Sequence, residues 1–269
     1  MKKAPSLLAI FAIALCSVVF VFAPAFSARA SGDMKTPAPV VVELFTSEGC
    51  SSCPPADALL MKFQNAQPIQ GAKVIAIEEH VDYWNHDGWT DPYSSADWTQ
   101  RQVDYVLKFK DKTPYTPQMI VDGQTQMTGG QETQAREAIQ QAAGQPQTDI
   151  TLAAGDSSGN SQDFKVRVGK LVGNTSQDSA EIWLAITESG LESSVKAGEN
   201  AGRDLHHAPV LRSLHKIGTA KGSGDTTFDS STKVKFKPEW KRQNLQIVVF
   251  VQDKKSLRIL GAAAVPPSA

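Results

Sequence analysis

Val40-Val41-Val42-Glu43-Leu44-Phe45-Thr46-Ser47-Glu48-Gly49-Cys50-Ser51-Ser52-Cys53-Pro54-Pro55 passes from a strand to a helix within a few residues. Val40 to Phe45 is apolar and β-branched apart from Glu43, as a strand buried on both faces is. After the prolines, Ala56, Leu59, Leu60 and Phe63 recur at helical spacing. Prolines are tolerated in a first helical turn, because those N–H groups have no intrahelical partner. Cys50 and Cys53 therefore fall at a helix N-terminus. There the helix dipole and unpaired N–H groups stabilise a thiolate and make it a nucleophile. Two intervening residues let the second thiol resolve a mixed disulfide. The spacing predicts Cys50 as the attacking thiol and Cys53 as the resolving one, with Ser51 and Ser52 tuning the potential.

Downstream, Lys73 to Ile77 reads as a second buried strand. A helix opens at Ser94-Ser95-Ala96-Asp97, a capping-box-like start, and runs to about Lys110. Thr116-Pro117 leads into a strand at Gln118 to Val121. Asp122-Gly123 turns the chain into a return strand, Thr125 to Thr128, and Glu132 to Ala143 is helical. The order β-α-β-α-β-β-α, with CxxC at the first strand–helix junction, is that of a thioredoxin-like α/β domain. In such a domain a cis-proline before the third strand faces the CxxC, which assigns Pro117 to the catalytic set and Thr116 to substrate contact. Glu43, seven residues before Cys50, is the candidate to take a proton from Cys53.

Gln140-Gln141-Ala142-Ala143-Gly144-Gln145-Pro146 closes the last helix with Gly and Pro. Beyond it, Phe164–Val168, Ala180–Thr187, Lys233–Lys237, Leu245–Gln252 and Arg258–Val265 read as strands between Gly, Ser, Asn and Asp turns. Ile182, Leu184 and Ile186 alternate with their neighbours, as one buried face requires. An all-β, antiparallel sandwich-like C-terminal domain is expected. The organisation read here is a leader over 1–30, a thioredoxin-like domain over 36–146 and a β-rich domain over 147–265. The polar stretch Asn200 to Arg203, with His206 and His207, reads as a connection held by local hydrogen bonds; the alternative is a functional segment placed beside the CxxC face.

The first thirty residues have the anatomy of a secretory signal peptide: basic Lys2 and Lys3, an apolar run from Leu7 to about Ala25, and Ala28-Arg29-Ala30 as a cleavage site. Three of the 27 basic groups (Lys2, Lys3, Arg29) and none of the 28 acids lie there, leaving an excess of acids in the mature chain. With no basic run, that charge gives no reason to expect nucleic acid. No apolar stretch after Ser31 is long enough to span a membrane. A periplasmic or secreted location follows, where a disulfide persists.

His80-Val81-Asp82-Tyr83-Trp84-Asn85-His86-Asp87-Gly88-Trp89-Thr90-Asp91-Pro92-Tyr93 holds two of the five histidines and two of the five tryptophans. Tyr83, Trp84 and Trp89 are candidates to contact substrate over the CxxC, and His80, Asp82 and His86 are weak candidates for a metal. Ser47-Glu48-Gly49-Cys50-Ser51-Ser52-Cys53-Pro54-Pro55-Ala56-Asp57, His80-Val81-Asp82-Tyr83-Trp84, Gly88-Trp89, Arg101-Gln102, Thr116-Pro117-Gln118 and Glu199-Asn200-Ala201-Gly202-Arg203-Asp204-Leu205 together resemble the secreted bacterial thioredoxin-like family known as domain of unknown function 1223. That resemblance implies a thioredoxin-like fold with a CxxC; it carries no activity of its own.

The expected activity is thiol–disulfide exchange with protein thiols and disulfides. It involves an unidentified redox partner, no cofactor, no nucleic acid and no membrane span after signal cleavage. The alternatives are a non-catalytic binding protein with a structural CxxC disulfide, or a carrier of Cu(I) or another soft metal.

Overall fold

A computed structural model describes residues 1–4, 36–86, 88–173 and 179–268 of the chain. Nearly all of the leader reading, and Asp87, lie outside the described residues. The N-terminal half runs β1 (Ala38–Thr46), α1 (Pro54–Ala66), β2 (Ala72–His80), α2 (Ala96–Phe109), β3 (Gln118–Val121), β4 (Thr125–Thr128) and α3 (Glu132–Ala143). The second half supplies β5 (Ile150–Ser158), β6 (Ser161–Gly169), β7 (Ser179–Glu188), β8 (Glu192–Ser194), β9 (Asp204–His206), β10 (Val210–Lys221), β11 (Thr226–Lys235), β12 (Leu245–Gln252) and β13 (Ile259–Val265). Among the described residues no helix is long and apolar enough to cross a membrane.

The architecture corrects the expected pairing of a thioredoxin-like α/β domain with a separate antiparallel sandwich. Strands from both sides of residue 146 form one mixed eight-stranded sheet, in the order β13-β12-β7-β10-β2-β1-β3-β4. Strand accounts for 42% of the chain and helix for 18%, so this is a mainly-β molecule rather than a layered α/β domain with an appendage. The physical reason lies in β7 and β12. Ile182, Leu184 and Ile186 pack on one side of the sheet, while Ala185, Val248 and Phe250 pack on the other with Val41, Ile75 and Ile77 of β1 and β2. A strand apolar on both faces belongs inside a sheet covered on both sides. The link is a single parallel bridge, Val210 with Glu78, which no local pattern announces.

Alternation along β1 and β2 separates two layers. Val40, Val42, Leu44, Val74 and Ala76 face α1 and α3, meeting Leu60, Phe63 and Ile139. Each of the larger side chains, fully buried, contributes roughly 1.5–3 kcal/mol. Val41, Phe45, Ile75 and Ile77 face α2, against Trp98 and Tyr105. A smaller sheet, β11-β6-β5, packs Phe164, Val166 and Val168 on β7 and β12. Beyond Ala76 and Leu44, the face under α1 turns polar and stays buried, and the site is built there.

Candidate functional site

Cys50 and Cys53 form a disulfide, with Cα atoms 5.5 Å apart, and both are fully buried. β1 ends in a turn in which the Cys50 N–H donates to the Ser47 carbonyl at 3.1 Å and the Cys53 N–H to the Cys50 carbonyl at 3.2 Å. Cys53 is the N-cap of α1, and the prolines follow within the first turn. Gly49 is required by close approach. A Cβ there would stand 3.0 Å from both Cβ and O of Trp84.

Beneath this turn, Thr46, Glu78 and His80 close the α1 face of β1 and β2, and α1 adds Asp57. His80 Nδ1 lies 2.7 Å from Asp91 and its Nε2 lies 2.9 Å from Glu78. His207 Nδ1 is 3.0 Å from the same Glu78 oxygen, and its Nε2 is 3.0 Å from Glu48. Glu78 also accepts from the Ala208 N–H, Asp91 from the Glu48 N–H, and Glu48 from the Trp89 indole. The Thr46 hydroxyl donates to Asp57 at 2.6 Å.

Burial alone would discharge these groups, and their neighbours decide otherwise. Desolvation would lower His80, but Asp91 and Glu78 outweigh it and hold the ring well above the usual histidine range. Desolvation is likewise overcome at His207, where hydrogen bonds to Glu48 and Glu78 lift the pKa to about 9. Burial would raise Glu78 and Asp91, but both rings hold Glu78, and His80 with the Glu48 and Tyr93 N–H groups holds Asp91, below the carboxylate range. Two imidazolium ions thus offset two carboxylates. Asp57 differs. Burial, then the charge of Glu78, push it up to about 8 against the Thr46 hydrogen bond, so it keeps a proton at neutral pH.

The residues singled out from sequence are distributed unevenly around this centre. The Thr116–Pro117 peptide is cis, and Pro117 is buried at the start of β3. A Cβ on Gly129 would stand 2.8 Å from Ala56 Cβ and 3.1 Å from Pro117 Cβ, so Pro117 lies beside the first turn of α1. The half-buried Trp84 donates its indole N–H to Thr116 at 2.8 Å and packs on Gly49, which joins the aromatic loop, the Pro117 turn and the CxxC turn. Trp89 reaches the site through Glu48, while Tyr83 points to Gln102 on α2 at 3.1 Å.

Glu43 lies on the other face of the sheet from α1. Its carboxylate accepts from Arg101 Nε at 2.6 Å and from the Tyr105 hydroxyl at 2.6 Å. Glu79 shares that Arg101 at 3.6 Å; burial first, and the neighbouring Glu43 next, push it well above its usual value. Glu43 is thus separated from Cys53 by the sheet itself.

The metal candidates do not converge. Asp82 accepts from Thr99 at 2.6 Å, and His86 is exposed, with Nδ1 3.0 Å from the Tyr83 carbonyl and its ring stacked on Trp84. His80 instead joins Glu78 and His207, whose ligand-type atoms lie within 4.8 Å of one another. These three are the donors a cation would use, with Asp91 and Glu48 holding the far ring nitrogens. A cation there must displace the protons that now join Glu78 to each ring.

Glu48, Asp57, Glu78, Asn200 and His207 were not identified as site residues from sequence. Asn200 corrects the expectation of a local connection: fully buried, it donates to the carbonyls of Glu48 at 2.8 Å and Cys50 at 3.0 Å. Glu199 accepts from the Ser51 N–H at 3.0 Å. The tip of the β8–β9 hairpin is therefore seated on the CxxC turn. The available signal was Glu78-Glu79-His80, three ionisable residues continuing an apolar strand, a sign that partners come from elsewhere in the chain.

Fold and site together define a CxxC disulfide protein built on a mixed sheet, with a buried acid–histidine cluster beneath the cysteines. Residues 41–252 match a family described as protein of unknown function (DUF1223), and the chain belongs to that family. The crystal structure of protein AGR_C_4864 from Agrobacterium tumefaciens is similar at 25% identity and a TM-score of 0.63, over 85% of this chain and 94% of that one. HBP35 of Porphyromonas gingivalis shares the fold at 13% identity and a TM-score of 0.59, over 86% of this chain and 76% of that one. No curated protein matches the chain.

Proposed function

We propose that the protein exchanges electrons with protein thiols through Cys50 and Cys53. The observation that carries this reading is the disulfide at the head of α1 with Asp57 one helical turn below Cys53, its N–H bonded to the Cys53 carbonyl at 3.1 Å. Residues four apart share a helix face, and Asp57 is a buried carboxyl that holds its proton up to about pH 8. A partner thiolate attacks Cys50 Sγ, the S–S bond breaks, and Cys53 leaves with the electron pair. Asp57 supplies the proton that neutralises it. A second partner thiolate then displaces Cys50, leaving the partner oxidised by two electrons and this protein as a dithiol. In reverse, the Asp57 carboxylate takes the Cys53 proton and the resulting thiolate resolves the mixed disulfide. The leader-like N-terminal sequence supports an exported protein in an oxidising compartment.

Equilibration of the native protein with glutathione buffers, read by thiol alkylation, tests the reading. A potential between about −270 and −120 mV, and loss of exchange in Cys50→Ser, is expected. A potential below about −300 mV, with exchange no faster than in Cys50→Ser, would mark the disulfide as a structural staple instead.

A further inference from the structure

A cleft of about 940 Å³ opens between β10 and β11, away from the CxxC turn. Its floor is apolar, with Leu184 and Ile186 from β7 and Val234 from β11. Both long walls are strand edges. Among the described residues β11 pairs with β6 alone, and β10 beyond Val210 pairs with β7 alone. Each wall therefore presents backbone donors and acceptors to whatever lies between them.

Two irregularities in β10 serve the cleft. Its register with β7 shifts between Leu211 and Ser213 and between Lys216 and Gly218. The residues set aside, Arg212 and Ile217, both line the cleft. Bulges re-aim side chains in this way at sites of function. Arg212 is held 5.4 Å from the Tyr93 ring centre and 5.7 Å from that of Trp240. The indole N–H of Trp240 and the hydroxyl of Ser213 are buried without a hydrogen-bond partner.

Charge selects the occupant. Lys233, Lys235 and Lys237 line the cleft against one lining acid, Asp97, in a chain whose net charge is −1; Arg212, also in the lining, is already paired with Glu188 at 3.4 Å, and Lys233 stands 3.9 Å from Asp163. We infer that the cleft binds an extended, acidic polypeptide segment by strand addition. Alternate side chains of that segment enter the apolar floor, and its carboxylates meet the lysines at the rim. Tyr93, in the cleft wall, also packs 5.3 Å from the His207 ring and 5.4 Å from the His80 ring, so the occupied cleft abuts the buried cluster. The inference does not depend on redox activity.

Fluorescence anisotropy with a labelled ten-residue peptide of alternating glutamate and valine tests it on the full protein. Saturable binding is expected, at least ten-fold weaker for the lysine–valine counterpart and weakened by added salt. Lys233→Glu with Lys235→Glu, both on the surface, should weaken binding at least ten-fold with an unchanged circular dichroism spectrum. Cys50→Ser with Cys53→Ser should leave it unaltered. A glutamate–valine peptide N-methylated at every residue should not bind, since it has no backbone N–H left to donate to a strand edge. Equal binding of acidic and basic peptides, undiminished binding of the methylated one, or none at all would overturn the inference.

Discussion

Asp57 is the residue on which redox chemistry and stability depend in opposite directions. Its pKa of about 8 stands above the ordinary aspartate value of 3.8, so between those values the folded chain holds a proton that the unfolded chain has lost. The stability contributed by this group therefore falls as pH rises through that window. Asp57→Asn keeps an acceptor for the Thr46 hydroxyl and mimics the protonated acid. It should be more stable than wild type at pH 8 by on the order of 1–2 kcal/mol. The same change removes the proton carrier beside Cys53 and should slow exchange by about 100-fold, flattening its pH dependence between 6 and 9. Urea unfolding at pH 5 and pH 8, alongside stopped-flow exchange, checks both. A variant that is destabilised and equally active would remove Asp57 from the mechanism.

At the scale of elements, the β8–β9 hairpin holds the disulfide shut. Glu199 engages the Ser51 N–H, Asn200 engages the Glu48 and Cys50 carbonyls, and both cysteines are fully buried. Asn200→Ala removes two donors from buried carbonyls, each worth about 1–3 kcal/mol when left unmade. Reduction of the disulfide by dithiothreitol should accelerate about ten-fold; an unchanged rate in a folded variant would show that the hairpin does not control access. The hairpin also marks where sequence reading stops. The CxxC turn, the helix it heads and the position of Pro117 are written in contiguous residues, where proline, glycine and 3.6-residue spacing have direct local meaning. The sheet is not local. From sequence β7 and β12 read as a second domain, because the bridge from Val210 to Glu78 joins residues about half the chain apart and leaves no periodic trace. Asn200 and His207 sat in a polar connection whose composition could not reveal that its partners are Glu48, Cys50 and Glu78. Glu43 misled for a related reason: its distance along the chain from Cys50 was legible, but the side of the sheet it occupies was not.

Across the whole molecule, the acid–histidine cluster ties the two halves of the chain together under the disulfide. Glu78 and His80 come from β2, Glu48 and Asp91 from the flanking loops, and His207 from the base of the hairpin. The depressed pKa values of Glu78 and Asp91 give stability that is present above the unfolded carboxylate range and lost as pH falls through their folded values. The raised values of His80 and His207 give stability that is full below the unfolded histidine value and lost as pH rises, through about 9 for His207. Asp57 begins to lose stability from its unfolded value upward, so unfolding free energy should peak near the unfolded carboxylate range, at about pH 4 to 5, and fall on either side. His207→Gln tests the assignment. Its amide N–H can still donate to one of Glu48 and Glu78, but the side chain carries no charge, leaving buried carboxylates uncompensated, and the substitution should cost about 3–5 kcal/mol at pH 6. At pH 10 the wild-type ring is itself neutral, so the same substitution should cost far less there. Urea midpoints for both proteins at the two pH values measure the difference, and an equal cost at pH 6 and pH 10 would mean that packing, not the imidazolium, joins the halves of the chain.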